Sequence, residues 1–501
     1  MQDAVRATLL ARVYDVATET PLERANKLSQ LANCDAYLKR EDLQPVHSFK
    51  LRGAYNKMCQ LTPQERKSGV ITASAGNHAQ GVALAAQRLG ISALIVMPRT
   101  TPSIKVEAVM SYDSAEVELA GDSYSDAAEH SKLRAQETGR TYIHPFDDPL
   151  VIAGQGTIGR EILEQLEDVT HIFVPVGGGG LIAGIAQYVK ALRPEIQVIS
   201  VEPEDSNVMQ LSLKAKKRIT MHNVGIFADG VAVKQLGENT FRIAQNLVDD
   251  CITVNNDELC AAIKAIFEET RSIVEAAGAL GVAGIAKYAE ENKLSGAKAV
   301  AICSGANMTF ERLQFVAERT LMGSKREILL AIELAVQPRA LQELCERVIN
   351  GHNITQFCYR LRERDKAHII LGVSVNDQTD RKKFTHKLEE AGYIYSDLTD
   401  EDTAKEHVRH IVGGTSPNAL HEHFYTIQFP QRPGAIEEFL RSVSGTWNIS
   451  LFHYRGQGGD MASVLIGFEA SNRQQLESAI KGTAYTYERV DNTESIRIFN
   501  R

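Results

Sequence analysis

The chain has 501 residues, enough for about three domains at roughly 150 residues each. Its 44% hydrophobic and 24% charged content is ordinary for a soluble globular protein, and its net charge of -8 weighs against nucleic acid and anionic membranes as partners. The cysteines, Cys34, Cys59, Cys251, Cys260, Cys303, Cys345 and Cys358, are odd in number and form no CxxC pair, which disfavours a disulfide framework and a zinc site and fits reduced thiols in a cytoplasm.

In chain order, Met1 to Leu10 holds Asp3 and Arg6 and no sustained apolar run, so no signal peptide is expected. No apolar run approaches the ~18 residues of a membrane span. Thr20-Pro21-Leu22 reads as a helix start with proline in its first turn. Residues 35–40 read as a short strand leading to His47-Ser48-Phe49-Lys50-Leu51-Arg52-Gly53, and residues 52–61 as a helix. Strands are expected at 69–73, 92–97 and 115–119, with helices at 77–89, 102–110 and 123–138 between and after them. The alternation resumes with a helix at 154–167, a strand at 171–176, a helix at 181–192 and a strand at 197–201. A helix at 257–270 and a strand at 298–302 follow, and the unit closes near residue 320. Such alternation implies a parallel sheet wrapped by helices, with ligands gathered outside the carboxyl ends of the strands.

The remainder repeats. An offset of 95 residues joins Pro338 to Pro433, Ala340 to Ala435, Asn353 to Asn448, Tyr359 to Tyr454 and Gly372 to Gly467. After a three-residue shortening, Tyr393 and Tyr395 match Tyr485 and Tyr487. Each copy reads strand, helix, strand, strand, helix, strand, the ferredoxin-like order. A polar stretch over 398–420 links them.

Four stretches carry chemistry. Lys50 offers an amine. Gly177, Gly178, Gly179 and Gly180 follow an apolar strand and open a helix; backbone without Cβ atoms approaches a phosphate closely, and the N–H groups face a dianion. The same run also fits a tight strand–helix turn or a nucleotide site, although it lacks the P-loop spacing and fits a dinucleotide loop poorly. Ser74-Ala75-Gly76-Asn77-His78 lies between strand and helix, where backbone donors and the Ser74 hydroxyl suit a carboxylate and Asn77 suits a phenolate-like oxygen; a helix cap by Ser74 or Asn77 is the alternative. His78 reads more readily as a packed histidine than as a base. Ser304 follows the last strand, and a hydroxyl beside a pyridine nitrogen leaves that nitrogen unprotonated; a turn serine is the alternative. Amine, phosphate cradle, anion pocket and ring partner are the four parts of a pyridoxal phosphate site.

Residues 47–54, His-Ser-Phe-Lys-Leu-Arg-Gly-Ala, resemble the lysine motif of the serine/threonine dehydratases, in the β-family (fold type II) of pyridoxal phosphate enzymes. Residues 74–81, the segment Pro-Phe-Asp-Asp-Pro-Leu-Val-Ile-Ala-Gly-Gln-Gly-Thr at 145–157, and the four glycines resemble it too, so that the likeness covers about residues 15–320. The C-terminal repeats resemble the paired ACT-like regulatory domains of the family's biosynthetic branch. Two departures stand out. Ala306 sits where the family often has a second glycine. Ala75 sits where racemases of this fold carry a second serine, which disfavours racemisation.

The resemblance implies an α/β catalytic domain over 1–320, with two open, mostly parallel sheets, and ferredoxin-like α+β domains over 325–398 and 421–501. It implies water elimination from threonine, with serine secondary, giving 2-oxobutanoate and ammonia at the first committed step of isoleucine biosynthesis. Lys50 then carries the cofactor and moves the α-proton, Phe49 packs against the ring, Asn77 meets the ring oxygen and Ser304 the ring nitrogen. The four glycines hold the phosphate, and Ser74, Gly76, Asn77 and His78 clamp the substrate carboxylate. Isoleucine would inhibit, with valine as an opposing effector, at Pro338, Arg339, Ala340 and Leu341 and at Pro433, Gly434, Ala435 and Ile436. No metal, nucleic acid or membrane is implied, and a homotetramer in the cytoplasm is expected. The alternatives are a serine dehydratase or racemase of the same fold, or a non-catalytic amino-acid sensor.

Overall fold

The computed structural model describes residues 2–292, 294–323, 326–335, 343–361, 366–408, 421–430, 438–439, 447–456, 461–483 and 485–499. The chain divides into two compact units, Met1–Phe310 and Glu311–Arg501.

The first unit holds two sheets. Strands β1 (Leu22–Arg24), β2 (Asp35–Lys39), β7 (His171–Pro175), β8 (Gln197–Pro203), β9 (Asp250–Val254) and β10 (Lys298–Ile302) form a six-stranded sheet in the order β1-β2-β10-β7-β8-β9. Only β1 runs antiparallel to its neighbour. Strands β3 (Val70–Ala73), β4 (Ala93–Met97), β5 (Ala115–Leu119) and β6 (Thr141–Tyr142) form an all-parallel sheet in the order β5-β4-β3-β6. The expected doubly covered sheets are therefore present. Ile172, Val174 and Val198 of the larger sheet are fully buried against Ile158, Ile162, Ile182, Ile185 and Val189 of two helices. Val82, Ala83 and Ala86 cover Val70 and Ile95 of the smaller one.

Two local expectations are corrected. Leu22 does not open a helix. The Thr20 hydroxyl is committed to Glu41 (2.6 Å), and the Pro21 carbonyl accepts Arg40 N–H, which holds the segment extended as β1. The helix expected from 154 starts at Pro149 (Pro149–Gln165), because Asp148 accepts the Leu150 and Val151 N–H groups and proline fits the first turn.

The second unit holds two four-stranded antiparallel sheets. Strands β11 (Glu327–Ala335), β12 (Ile354–Leu361), β13 (Lys366–Ser374) and β14 (Tyr395–Asp397) pair in the order β12-β13-β11-β14. Strands β15 (Glu422–Pro430), β16 (Asn448–Gly456), β17 (Met461–Glu469) and β18 (Tyr487–Arg489) pair as β16-β17-β15-β18, the same order. Register repeats as well. Leu329 faces Gly372, and Phe424 faces Gly467; the ladder slips between Ile354 and Gln356, and again between Ile449 and Leu451. Each bulge turns a hydroxyl residue over its glycine. A Cβ at Gly372 would stand 2.5 Å from Thr355 Oγ1, and one at Gly467 2.7 Å from Ser450 Oγ. The matching glycines thus have one steric cause in both copies. The short helices Asp402–Glu406 and Glu494–Phe499, absent from the expected pattern, follow each copy.

In the first unit, the helices Pro149–Gln165 and Gly180–Leu192 cross at Gly156 and Gly184, where a Cβ on Gly184 would stand 2.4 Å from the Ile152 carbonyl oxygen. Gly184→Ala is therefore expected to destabilise this unit by about 1–3 kcal/mol, read as a lower denaturant midpoint at unchanged slope.

Candidate active site

Lys50 is the first residue of the helix Lys50–Met58. The chain reaches it through His47, whose φ is +54°, and through Ser48, which bridges Gly305. Phe49 N–H donates to Ser304 O (3.2 Å), and Ala306 N–H to His47 O (2.9 Å). The lysine segment is thus sewn to the loop after β10. Lys50 Nζ donates to Pro145 O (3.1 Å) and lies 5.2 Å from the centre of the Phe49 ring. Burial lowers its pKa to about 8, against the opposing pull of Glu275. A large neutral fraction near pH 8 suits a nucleophile and a base.

The position of Lys50 is set two residues later. Arg52 is fully buried and forks onto two buried carboxylates, Glu41 (Nε and Nη2, 2.8 Å each) and Glu161 (Nη1 2.5 Å, Nη2 3.0 Å). Lys39 Nζ adds a second buried cation, 2.6 Å from Glu161 and 2.6 Å from Thr20 O. Two cations thus face two anions. Close backbones confine the same helix: a Cβ on Gly81 would meet Leu51 N at 3.0 Å, and one on Gly154 would meet Arg52 O at 2.8 Å.

The four glycines sit between β7 and the helix Gly180–Leu192. A Cβ on Gly178 would enter the Phe146 ring (2.3 Å), one on Gly180 would meet Phe146 Cβ (2.9 Å), and one on Gly177 would meet Val231 Cα (2.9 Å). Gly179 has φ +91°, which only glycine adopts freely. Thr240 Oγ1 holds the Gly178 carbonyl (2.7 Å).

The helix Asn77–Leu89 starts after Gly76, and no side chain caps it. Nor does one cap Gly180–Leu192. Thr62, Ser123, Asp148 and Asn255 cap other helices of this unit, while Asn26–Ala32, Ser103–Met110, Val208–Ala215 and Glu238–Leu247 also lack a cap from their own N-cap residue. The helices that open at the proposed phosphate and carboxylate positions therefore leave their first N–H groups without a side-chain acceptor, which is the arrangement an anion needs. Ser74 Oγ accepts Gly76 N–H (3.3 Å) instead of capping, so the alternative in which Ser74 or Asn77 serves as an N-cap is excluded.

Asn77 is held at both ends. Its Nδ2 donates to Glu275 Oε1 (2.6 Å), and its Oδ1 accepts from Asn307 Nδ2 (2.7 Å). Burial, with help from Asp229, raises the Glu275 carboxyl to about 7. Ser304 is buried, and its hydroxyl donates to Ala277 O (3.3 Å). His78 is buried with Nε2 on Ile143 O (3.0 Å), and burial drives its pKa down to about 3. It is a neutral, packed histidine whose Nδ1 meets no partner among the described residues.

Two contributors escaped the sequence: Arg52 with its acids, and Glu275. The turn at 144–148 was visible only as part of the family-like segment 145–157, with no role for its side chains. The effector candidates Pro338, Arg339, Ala340, Leu341, Pro433, Gly434, Ala435 and Ile436 lie outside the described residues. No group of three or more metal-ligating side chains occurs among the described residues. A cradle that any Cβ would fill, uncapped helix starts, a low-pKa amine and a buried hydroxyl fit pyridoxal phosphate.

Residues 13–305 match the family model described as pyridoxal-phosphate dependent enzyme. Residues 318–408 and 413–499 each match the C-terminal regulatory domain of threonine dehydratase. The chain is 48% identical to a biosynthetic L-threonine dehydratase of Burkholderia multivorans, over 99% of both chains. It is 44% identical to its Escherichia coli counterpart, over 99% of this chain and 96% of that one. Among solved structures it resembles the processed form of threonine deaminase isoform 2 from Solanum lycopersicum (51% identity, TM-score 0.62, 64% of this chain and 87% of that one). It also resembles maize serine racemase (33%, TM-score 0.59, 64% and 98%).

Removing Arg52 would leave two buried carboxylates with one cation. Arg52→Met is expected to cost about 3–5 kcal/mol of stability, read by chemical denaturation. Burial raises the Glu161 pKa, but Arg52 and Lys39 outweigh it and hold the group below the usual range. The stabilisation from Glu161 is then complete above the unfolded value of about 4.3 and is lost as pH falls through the lower folded value. The denaturant midpoint of the unsubstituted protein should fall over that acid window, and that of Arg52→Met should fall less.

Proposed function

The chain belongs to the pyridoxal-phosphate-dependent enzymes that carry threonine dehydratase regulatory domains, and from that membership we propose that it converts L-threonine to 2-oxobutanoate and ammonia in the biosynthesis of isoleucine. The observation that carries this reading is a half-buried lysine with a lowered pKa, bonded to Pro145, whose neighbour Phe146 packs on an uncapped tetraglycine helix start. Bound pyridoxal phosphate supplies the electron sink for charge that develops at the substrate α-carbon.

This chain's residues do the rest. Gly177, Gly178, Gly179 and Gly180 offer N–H groups and a helix N-terminus to the phosphate. Asn77, fixed by Glu275 and Asn307, would present its remaining amide hydrogen to the ring oxygen. Ser304 would offer the ring nitrogen a hydroxyl rather than a carboxylate. That favours expulsion of a β-substituent over long-lived carbanion chemistry. Ser74, Gly76, Asn77 and His78 receive the substrate carboxylate on the uncapped helix start. Lys50 would hold the cofactor through its amine, and the same amine, when free, would take the substrate α-proton. The β-hydroxyl would leave as water, the proton it needs being balanced by the α-proton that Lys50 takes up, and hydrolysis of the released enamine would give the keto acid and ammonia.

The two C-terminal repeats bind isoleucine, which inhibits, and valine, which opposes it, in a homotetramer in the cytoplasm. Inhibition requires that isoleucine bind two states of the assembly with different affinity. Among the described residues, no helix is long and apolar enough to cross a membrane.

Release of 2-oxobutanoate from threonine by the purified protein tests the activity, and Lys50→Ala is expected to lose turnover by about 10³-fold or more. Isoleucine should suppress release by the full chain and leave a protein ending at Gly323 unaffected. Full turnover in Lys50→Ala contradicts the site assignment. Suppression that persists in the shortened protein contradicts the regulatory one.

A further inference from the structure

The turn His144-Pro145-Phe146-Asp147-Asp148 touches both Lys50 and the glycine cradle, yet the mechanism above gives it no role. The Pro145 carbonyl accepts from Lys50 Nζ (3.1 Å). The Phe146 ring fills the space that a Cβ on Gly178 would need, and its Cβ and backbone the space that one on Gly180 would need. The Asp147 carboxylate accepts the N–H groups of Glu238, Asn239 and Thr240 (2.9, 2.9 and 3.2 Å). It thereby anchors the helix Glu238–Leu247, whose Thr240 holds the Gly178 carbonyl. Asp148 caps the helix Pro149–Gln165 and pairs with Lys57 (2.8 Å), on the lysine helix itself.

One atom organises this turn. His144 Nδ1 accepts Phe146 N–H (3.2 Å) and Asp147 N–H (2.8 Å). These are the bonds an asparagine or aspartate side chain makes when it folds the chain back on itself. The ring is wedged edge-on between Tyr142 (6.0 Å) and Phe146 (4.7 Å). Burial drives its pKa down to about 4, with Asp147 opposing, so the lone pair on Nδ1 is available throughout the neutral range.

We propose that His144 is a positioning residue for the reaction: its Nδ1 lone pair shapes the turn that presents the Pro145 carbonyl to the Lys50 amine and seats Phe146 against the glycine cradle. The inference rests on Lys50 and the four glycines being the cofactor's attachment and phosphate sites. It makes one distinctive demand. The acceptor atom matters, and the imidazole as such does not. Asparagine places Oδ1 where Nδ1 stands and accepts the same two N–H groups, whereas alanine leaves both N–H groups without an acceptor inside the protein.

The test titrates full-length apoprotein with pyridoxal phosphate, following visible absorbance of the attached cofactor, in the unsubstituted protein, His144→Asn, His144→Ala and Lys50→Ala. Cofactor Kd is expected to rise about tenfold or more in His144→Ala and to stay within about twofold in His144→Asn. Equal Kd values in the two His144 variants, raised or not, overturn the proposal. If His144→Ala does not fold, His144→Asn decides alone: an unchanged Kd supports the proposal, and a tenfold rise overturns it. Attachment that survives intact in Lys50→Ala would sink the Lys50 assignment instead, which separates failure of that premise from failure of the His144 inference.

Discussion

Arg52 carries a positive charge into the interior two residues after Lys50, and the lysine helix starts where it does because Glu41 and Glu161 receive that charge. An unpaired charge at such a depth would cost several kcal/mol. Any displacement of the helix would break a forked, doubly paired contact, and Lys39 ties Glu161 to the larger sheet through β2. Glycines at 81 and 154 let neighbouring backbones close on the same helix without side chains between them. A network with no part in the reaction thus fixes the base of the lysine, while the turn at 144–148 fixes its tip.

How much of this was legible in the sequence follows from where each partner lies along the chain. Local signals read well. The glycine run after an apolar strand and the Ser-Ala-Gly-Asn-His loop fall at strand–helix turns, and the lysine motif runs into a helix, as expected. The doubled regulatory fold was visible because a 95-residue offset preserves both register and bulge. Distant partners did not read. Arg52 sits inside the recognised motif, yet a charged residue is ordinarily solvated, and its acids lie 11 and 109 positions away. The helices Val208–Ala215 and Glu238–Leu247 went unseen because their first N–H groups are received by Glu202 and Asp147, carboxylates that are not their own N-caps. The segment at Thr20 carries a helix-start pattern, but tertiary bonds claimed its hydroxyl first.

In the second unit the two copies share packing. Ile370 of β13 lies against Leu329 and Ala331 of its own sheet and also against Phe424 and Leu465 of the other. Ile370 and Leu465 occupy equivalent places in the repeat. The Glu401 carboxylate accepts the backbone N–H and the hydroxyl of Ser495, at the start of the final helix (2.9 and 2.6 Å). His407, after the first copy, meets His453 of β16 ring nitrogen to ring nitrogen (2.9 Å). A rearrangement of one sheet therefore disturbs groups that the other sheet buries. Such a shared core is a physical route by which a change in one copy reaches the other.

The claim on which everything else depends is that Lys50, and no other lysine, bears the cofactor. Borohydride reduction of the cofactor-loaded protein, followed by proteolysis and mass spectrometry, reads this directly. The account expects the pyridoxyl mass on the peptide containing Lys50 and on no other. A label on a different lysine, or none on a protein that holds the cofactor, would contradict it.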